Sequence, residues 1–171
     1  MVDIYYTTSK VDTQDYIKYI LERYYNIPNA IICKTINGKP YLKGDKIFFN
    51  ASHSKDILAL AVGKSEIGFD CEALNGKPRP AVLNKFSERE KEEIFSTSDF
   101  YEHWTVRESF VKFLGGTLSS MWRKIEFVNG NIYFLNKKEN VRLLRFQKEG
   151  YTFSVCGNYT KYSFKKVDLP N

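Results

Sequence analysis

Asp70 and Glu72 stand two residues apart in Ile67-Gly68-Phe69-Asp70-Cys71-Glu72, a stretch whose residue types suit a β-strand. Strand side chains alternate, so both carboxylates point to one face and Phe69 and Cys71 to a core. Paired carboxylates repel unless protons or a cation stand between them. A hard divalent ion with oxygen ligands meets that need; a solvated strand face meets it without an ion. Glu108 and Lys112 form a second pair, four residues apart in Trp104-Thr105-Val106-Arg107-Glu108-Ser109-Phe110-Val111-Lys112. On a helix they share a face, as an ordinary surface pair worth about 0.2–0.5 kcal/mol also does. The neighbouring Phe110, Val111, Phe113 and Leu114 predict a helix buried over most of its circumference, where a charged pair needs partners or a water-filled site. As a third element, Ser52 and His53 leave the end of a predicted strand together and offer donors suited to a phosphate. A hydrolase is disfavoured: the G-x-S-x-G elbow is absent, and His103 is the other of just two histidines. Gly63-Lys64-Ser65 has Leu58 where a phosphate-binding P-loop needs its first glycine, so it reads as a turn.

The elements that must position these residues follow from periodicity and punctuation. Residues 12–25 are predicted helical, capped by Asp12 or Thr13, with Tyr16, Ile17, Ile20, Leu21 and Tyr24 at helical spacing. Short strands are expected at Ala30–Cys33, Ile47–Asn50, Ile57–Val62 and Ile67–Glu72. Asn75-Gly76-Lys77-Pro78-Arg79-Pro80 reads as a linker, which places a boundary between lobes at 1–76 and 77–171. Ser87 with Glu90 forms a capping box that opens a helix to Phe95. The longest helix is expected from about Asp99 to Leu114, closed by Gly115-Gly116. Strands follow at about 124–128, 131–135, 141–147 and 151–157, with Asn129-Gly130 as a hairpin turn. Each half thus reads as helix first, then strands, which gives an α+β fold.

The 171 residues carry 26 basic and 20 acidic side chains, a net charge of +6. Residues 1–122 are balanced at 16 of each, and residues 123–171 hold 10 basic and 4 acidic. A basic final segment implies an anionic partner, or a lysine-rich solvated sheet edge. Three cysteines without a C-x-x-C pair suit a reducing cytosol, so a cytoplasmic location is expected. No apolar run approaches the ~20 residues of a membrane span, and no membrane partner is expected. Aromatic residues make up 16% of the chain, enough to raise the alternative of a basic RNA-binding module that stacks bases on its C-terminal strands. No RRM-like aromatic motif accompanies them, and a nucleic-acid partner is not expected.

Taken in order, the motifs resemble the Sfp-type 4′-phosphopantetheinyl transferases. Gly38-Lys39-Pro40 resembles the family's G-K-P turn, and Phe49-Asn50-Ala51-Ser52-His53-Ser54 its F-N-x-S-H-S segment. Ile67–Glu72 is similar to its G-x-D-x-E strand, Phe86-Ser87 with Glu90 to its F-S-x-x-E helix start, and Trp104–Glu108 with Lys112 and Gly115 to its W-[ST]-x-K-E-x-x-x-K-x-x-G helix. The resemblance spans about half the chain, from Gly38 to Leu118. It implies two similar α+β lobes related by a pseudo-twofold axis, with the active site in the cleft between them. The implied reaction moves the phosphopantetheine arm of coenzyme A onto a serine of an apo acyl or peptidyl carrier protein and releases 3′,5′-ADP. Asp70, Glu72 and Glu108 would hold Mg²⁺, or Mn²⁺, against the pyrophosphate. Glu108 would also be the base for the serine, and Lys112 would neutralise or protonate the leaving phosphate. Ser52, His53, Lys39, Pro40, Arg23, Asp70 and Arg107 join Lys112 as expected coenzyme A contacts, with His53 counted among the catalytic groups. Arg107 departs from the family's usual lysine. A monomer is expected, in preference to the trimeric holo-acyl-carrier-protein synthase type, because Asp70 follows a complete lobe. The basic final segment, with Lys137, Lys138 and Arg142, becomes a candidate docking surface for the carrier.

Overall fold

The computed structural model describes residues 1–44, 47–78 and 80–170. In these the element order is β1 (Val2–Thr7), α1 (Thr13–Tyr25), β2 (Ile32–Lys34), β3 (Pro40–Leu42), β4 (Phe48–Ser54), β5 (Ile57–Gly63) and β6 (Ile67–Ala73). Then come α2 (Pro80–Leu83), α3 (Glu88–Lys91), α4 (Thr97–Leu114), α5 (Leu118–Met121) and a 3-10 turn at Trp122–Lys124. The chain ends with β7 (Ile125–Val128), β8 (Asn131–Phe134), β9 (Lys137–Lys138), β10 (Arg142–Lys148), β11 (Tyr151–Gly157) and β12 (Tyr162–Lys166). The fold is α+β, as expected.

Strand alternation stacks these elements in layers. In β5, Leu58, Leu60 and Val62 meet Tyr16, Ile17, Ile20 and Leu21 of α1. Ile57, Ala59 and Ala61 face the other way, onto Phe69, Cys71, Phe153 and Val155. A first sheet, ordered β12-β1-β5-β4, therefore lies between α1 and a second sheet, β10-β11-β6. The far face of the second sheet carries α4, whose Val106, Phe110 and Val111 cluster with Cys156 and with the third sheet, β7-β8-β9. Every residue of β5 is buried, so its sequence is continuously apolar rather than alternating. The aromatic residues of β10 and β11 are used here too. Phe146 stacks on Phe153 at 4.9 Å between ring centroids, so rings that a base-stacking platform would need are packed in the core.

Both large sheets take strands from either side of the expected lobe boundary. Strand β6 precedes residue 76, yet it hydrogen-bonds to β11 of the second sheet. Strand β12 follows it, yet it runs parallel to β1 in the first sheet. The chain then closes on the α1 layer. The Val167 N–H donates to the Tyr6 carbonyl at 2.8 Å, and the Thr7 hydroxyl donates to Asp168 at 2.5 Å. Units 1–76 and 77–171 therefore each contribute strands to both large sheets. Burial decides these pairings. Arg79, inside that linker, lies outside the described residues.

Helix ends follow their signals. Asp12 caps α1 by accepting from the Gln14 N–H at 2.7 Å. Gly115, at φ +69°, closes α4 in the left-handed region. The Ser87–Glu90 capping box is present, but the helix it opens stops at Lys91 instead of reaching Phe95. Ser96 then starts α4 with a second capping box, so the chain must turn before it. Among the described residues no helix is long and apolar enough to cross a membrane.

Candidate active site

The layer order decides where the carboxylates go. The β6 residues Phe69 and Cys71 fill the space between the sheets, which turns Gly68, Asp70 and Glu72 toward α4. Gly68 makes the close approach possible. A β-carbon there would stand 1.8 Å from the Ser109 carbonyl oxygen and 2.4 Å from the Phe113 nitrogen. With no side chain in the way, α4 lies directly on the strand. The Ser109 hydroxyl meets that of Ser154 on β11 at 2.9 Å. This seating lays Glu108 and Lys112 over Asp70 and Glu72.

The Lys112 ammonium donates to Asp70 Oδ1 at 2.8 Å, to the Phe69 carbonyl at 3.1 Å and to Ser52 Oγ at 3.3 Å. Its side chain keeps 26% of its surface exposed. Strand β4 reaches the same carboxylates with its alternate residues. Ser52 donates to Asp70 Oδ1 at 2.7 Å and Ser54 to Glu72 at 2.6 Å. Asn50 Oδ1 accepts from the Phe69 N–H at 3.1 Å. These three polar side chains tie the first sheet to the second without a backbone ladder. Trp104, one turn before Glu108, lines a cavity with Glu72 and favours its charged carboxylate.

The electrostatics follow from this crowding. Burial, then the nearby Asp70 and Glu72 carboxylates, push the Glu108 carboxyl up to about 7, against the opposing pull of Lys112. Burial also raises Glu72, and the hydrogen bond from Ser54 partly counters it. Burial would lower the Lys112 ammonium, but Asp70 and then Glu108 outweigh it, and the group titrates above its ordinary value.

The donor set suits a hard divalent cation: Asp70, Glu72 and Glu108 lie within electrostatic reach of one another, and Asp70 Oδ2 is buried without a hydrogen-bond partner among the described residues. Among the described residues no three acidic, histidine or cysteine side chains are already gathered as a ligand cluster. Lys112 occupies Asp70 Oδ1.

The other expected site residues divide into those near the carboxylates and those elsewhere. Ser52, His53 and Pro40 line one cavity of about 370 Å³, together with Lys34 and with Thr13 and Gln14 at the start of α1. His53 follows Ser52 on a strand, so it takes the opposite face and opens to solvent on the α1 side. The structure therefore joins His53 to the carboxylates only through Ser52, which touches both. Lys39 points away from this cavity. Its ammonium ion-pairs with Glu66 and donates to the Lys112 carbonyl at 2.7 Å, in the last turn of α4. Arg23 is exposed in the last turn of α1, about 13 Å along the axis from Gln14.

Arg107 does not reach the site. Only 1% exposed, it forms a two-pronged ion pair with Glu90, through Nε at 2.9 Å and through Nη2. Its Nη1 donates to the Trp122 carbonyl at 2.6 Å. Arg107 and Glu108 are adjacent on a helix and face different sides, so only Glu108 turns to the strand acids. Sequence reasoning passed over Ser54 and Trp104 as site residues. Both were signalled by spacing: Ser54 is two residues from Ser52, as Glu72 is from Asp70, and Trp104 is four from Glu108.

An α+β fold that seats a Glu–Lys helix face over a D-x-E strand defines a class. The chain belongs to the 4′-phosphopantetheinyl transferase superfamily, whose family model matches residues 66–160. It is 31% identical over 168 residues to 4′-phosphopantetheinyl transferase gsp of Aneurinibacillus migulanus, covering 89% of this chain and 70% of that one. It is 30% identical over 125 residues to L-aminoadipate-semialdehyde dehydrogenase-phosphopantetheinyl transferase of Mus musculus, covering 60% of this chain and 40% of that one. With the 4′-phosphopantetheinyl transferase of Bacillus subtilis it shares 33% identity over 89 residues, which is 48% of this chain and 40% of that one. It thus spans less than half the length of the latter two relatives.

Proposed function

We propose that this protein transfers the 4′-phosphopantetheine arm of coenzyme A to a serine of an apo carrier protein. The observation that carries the reading is the placing of Asp70, Glu72, Glu108 and Lys112, all in the segment the family matches, within electrostatic reach of one another and beside the Ser52–His53 cavity. In this reading His53 and Ser52 bind phosphates of coenzyme A in that cavity, and Pro40 borders the nucleotide. Asp70, Glu72 and Glu108 are the residues that would hold Mg²⁺. When bound, the ion supplies positive charge against the pyrophosphate and lowers the barrier to displacement.

The chain's own groups do the rest. Glu108 takes the proton of the carrier serine, directly or through water. Without the ion, burial and the neighbouring carboxylates hold this carboxyl up to about 7, so it is a stronger base than an ordinary glutamate. The serine oxygen bonds to the phosphorus that bears the pantetheine arm, and the bond from that phosphorus to the 3′,5′-ADP oxygen breaks. Lys112 meets the charge that develops on the leaving phosphate, with Ser52 and Asp70 fixing its ammonium.

The test is mass spectrometry of an apo carrier protein incubated with this protein and coenzyme A, with and without Mg²⁺. A phosphopantetheine-sized mass gain that needs Mg²⁺, and that Glu108→Gln abolishes, supports the reading. No gain on any of several carrier types, or normal turnover by Glu108→Gln, overturns it.

A further inference from the structure

The β2–β3 hairpin stands apart from both large sheets. It is a two-stranded sheet of its own, in which Ile32 pairs with Leu42 and Lys34 with Pro40. A hairpin of this kind is marginally stable by itself, so its outside contacts decide where it sits. Ile32 and Leu42, at its base, pack against the α1 core. The tip is closed by short-range bonds: the Gly38 N–H donates to the Thr35 carbonyl and the Thr35 N–H to the Lys39 carbonyl, each at 2.9 Å. Ile36, within the tip, is fully exposed, so polar bonds rather than apolar burial hold the tip in place.

Those polar bonds reach the end of α4. Asn37 Nδ2 donates to the Gly115 carbonyl at 2.8 Å, and the Lys39 ammonium donates to the Lys112 carbonyl at 2.7 Å. A helix leaves its last four carbonyls without intrahelical partners, and it frays from there. Lys112 lies in that last turn. Its ammonium stays on Asp70 and Ser52 only while the turn stays wound. Other residues of the same short segment wall the Ser52–His53 cavity: Lys34, Gly38 and Pro40. One hairpin tip therefore touches that cavity on one side and the last turn of α4 on the other.

We propose that this tip couples an occupied cavity to Lys112, and that Asn37 is a positioning residue for the transfer step. The inference rests on the transferase reading. Coenzyme A seated against Gly38 and Pro40 holds the tip still. Through Asn37 the tip then holds the Gly115 carbonyl, keeps the last turn of α4 wound and sets the Lys112 ammonium for the leaving phosphate. Ser52 links the cavity to the strand acids directly; the tip is a second path, and it ends on the helix. Asn37 touches neither substrate nor reacting atoms in this scheme. Lys39 shares the clasp, but it also ion-pairs with Glu66, so Asn37 is the cleaner probe. Its bond is neutral and exposed, which limits the bias it can give to about tenfold.

The experiment compares wild type with Asn37→Ala, Asn37→Asp and Asn37→Gln. Asp keeps the shape but turns an acceptor to the Gly115 carbonyl, and Gln keeps a donor. Transfer to an apo acyl carrier protein gives kcat and the KM for coenzyme A. Hydrogen–deuterium exchange at residues 111–116, with and without coenzyme A, reads the helix end without any catalysis. In the Ala variant kcat should fall about three- to tenfold, with the coenzyme A KM within about threefold and Tm within about 2 °C of wild type. Asp should lose at least as much as Ala, and Gln should recover part of the loss. Coenzyme A should slow exchange at 111–116 in wild type, and Ala and Asp should abolish that slowing. A shift in Tm alone, or in the coenzyme A KM alone, marks a structural or a ligand-contact role and overturns the proposal. Unchanged kcat with wild-type slowing of exchange also overturns it and leaves the transferase reading standing. A wild type that binds no coenzyme A overturns both. Slowing of exchange that requires Asn37, in a wild type that binds coenzyme A but transfers nothing, would sustain the coupling while removing the catalytic reading.

Discussion

Glu108 should make the protein, kept free of divalent ions, less stable as pH rises. Unfolded, its carboxyl has the ordinary glutamate value of 4.5; folded, burial and then Asp70 and Glu72 hold it at about 7. Between those values the folded chain keeps a proton that the unfolded chain releases. Stability therefore falls from pH 4.5 to about 7 and levels off above. At about 1.4 kcal/mol per pH unit the gap is worth about 3 kcal/mol. Partial contact of the carboxyl with water reduces this to about 2 kcal/mol. In a domain of this size that is a Tm change of about 4–8 °C. Glu108→Gln has no charge to repel at any pH. In EDTA, its Tm relative to wild type should rise by about 4–8 °C between pH 5 and pH 8. Adding Mg²⁺ at pH 8 should raise the wild type more than the variant, because only the wild type has all three carboxylates. Parallel melting curves for the two proteins across this range would refute the reasoning. They would mean that Glu108 does not stand against Asp70 and Glu72 in the fold.

Three further substitutions test the frame that sets these groups. Arg107→Met leaves Glu90 buried and unpaired, so it should cost about 3–5 kcal/mol in urea unfolding. Glu90→Gln/Arg107→Met should cost less than the sum of the single changes, and a strictly additive result would contradict the pairing. Gly68→Ala puts a β-carbon into the backbone of α4, 1.8 Å from the Ser109 oxygen. It should lose about 3 kcal/mol or more, and transferase activity with it; a Tm within 2 °C of wild type would show that α4 does not rest on β6 as described. Lys39→Met frees a carbonyl in the last turn of α4 and should lower stability by about 1 kcal/mol. A tenfold loss of coenzyme A affinity at unchanged Tm would instead assign Lys39 to the nucleotide.

What could be read from sequence was what local periodicity encodes. The two acids of β6 share a face because strand side chains alternate, and Glu108 and Lys112 share one because helices repeat at four. The capping signals at Asp12, Ser87 and Gly115 are local for the same reason. Local periodicity does not say which strand lies beside which. β1 reads as an apolar run without alternation, since Ile4 and Tyr6 face one core and Tyr5 the other. Its parallel partner β12 lies at the far end of the chain, and no spacing rule connects Val2 to Tyr162. Arg107 shows the same limit at one residue. Its charge and its place beside Glu108 suggest the site, and only the fold reveals Glu90, in another element, as its partner.

The exchange of strands between the two sheets gives the site its character. A strand wholly inside the first sheet would have shown its acids either to α1 or to the apolar space between the sheets. By leaving β5 and joining β11, β6 keeps its apolar face in the inter-sheet core and turns Asp70 and Glu72 outward to α4. The first sheet still reaches those acids, through Ser52 and Ser54 at its edge. The opposite face of the same edge strand carries His53 into the cavity beside α1. Strand β4 thus connects a cavity suited to phosphate with the carboxylate cluster, and Ser52, which lines the first and bonds to the second, is the point of contact. A ligand that fills the cavity while its phosphates reach the carboxylates must pass Ser52, so Ser52→Val should impair coenzyme A binding and Lys112 positioning together. Loss of one without the other would mean that the cavity and the cluster work independently.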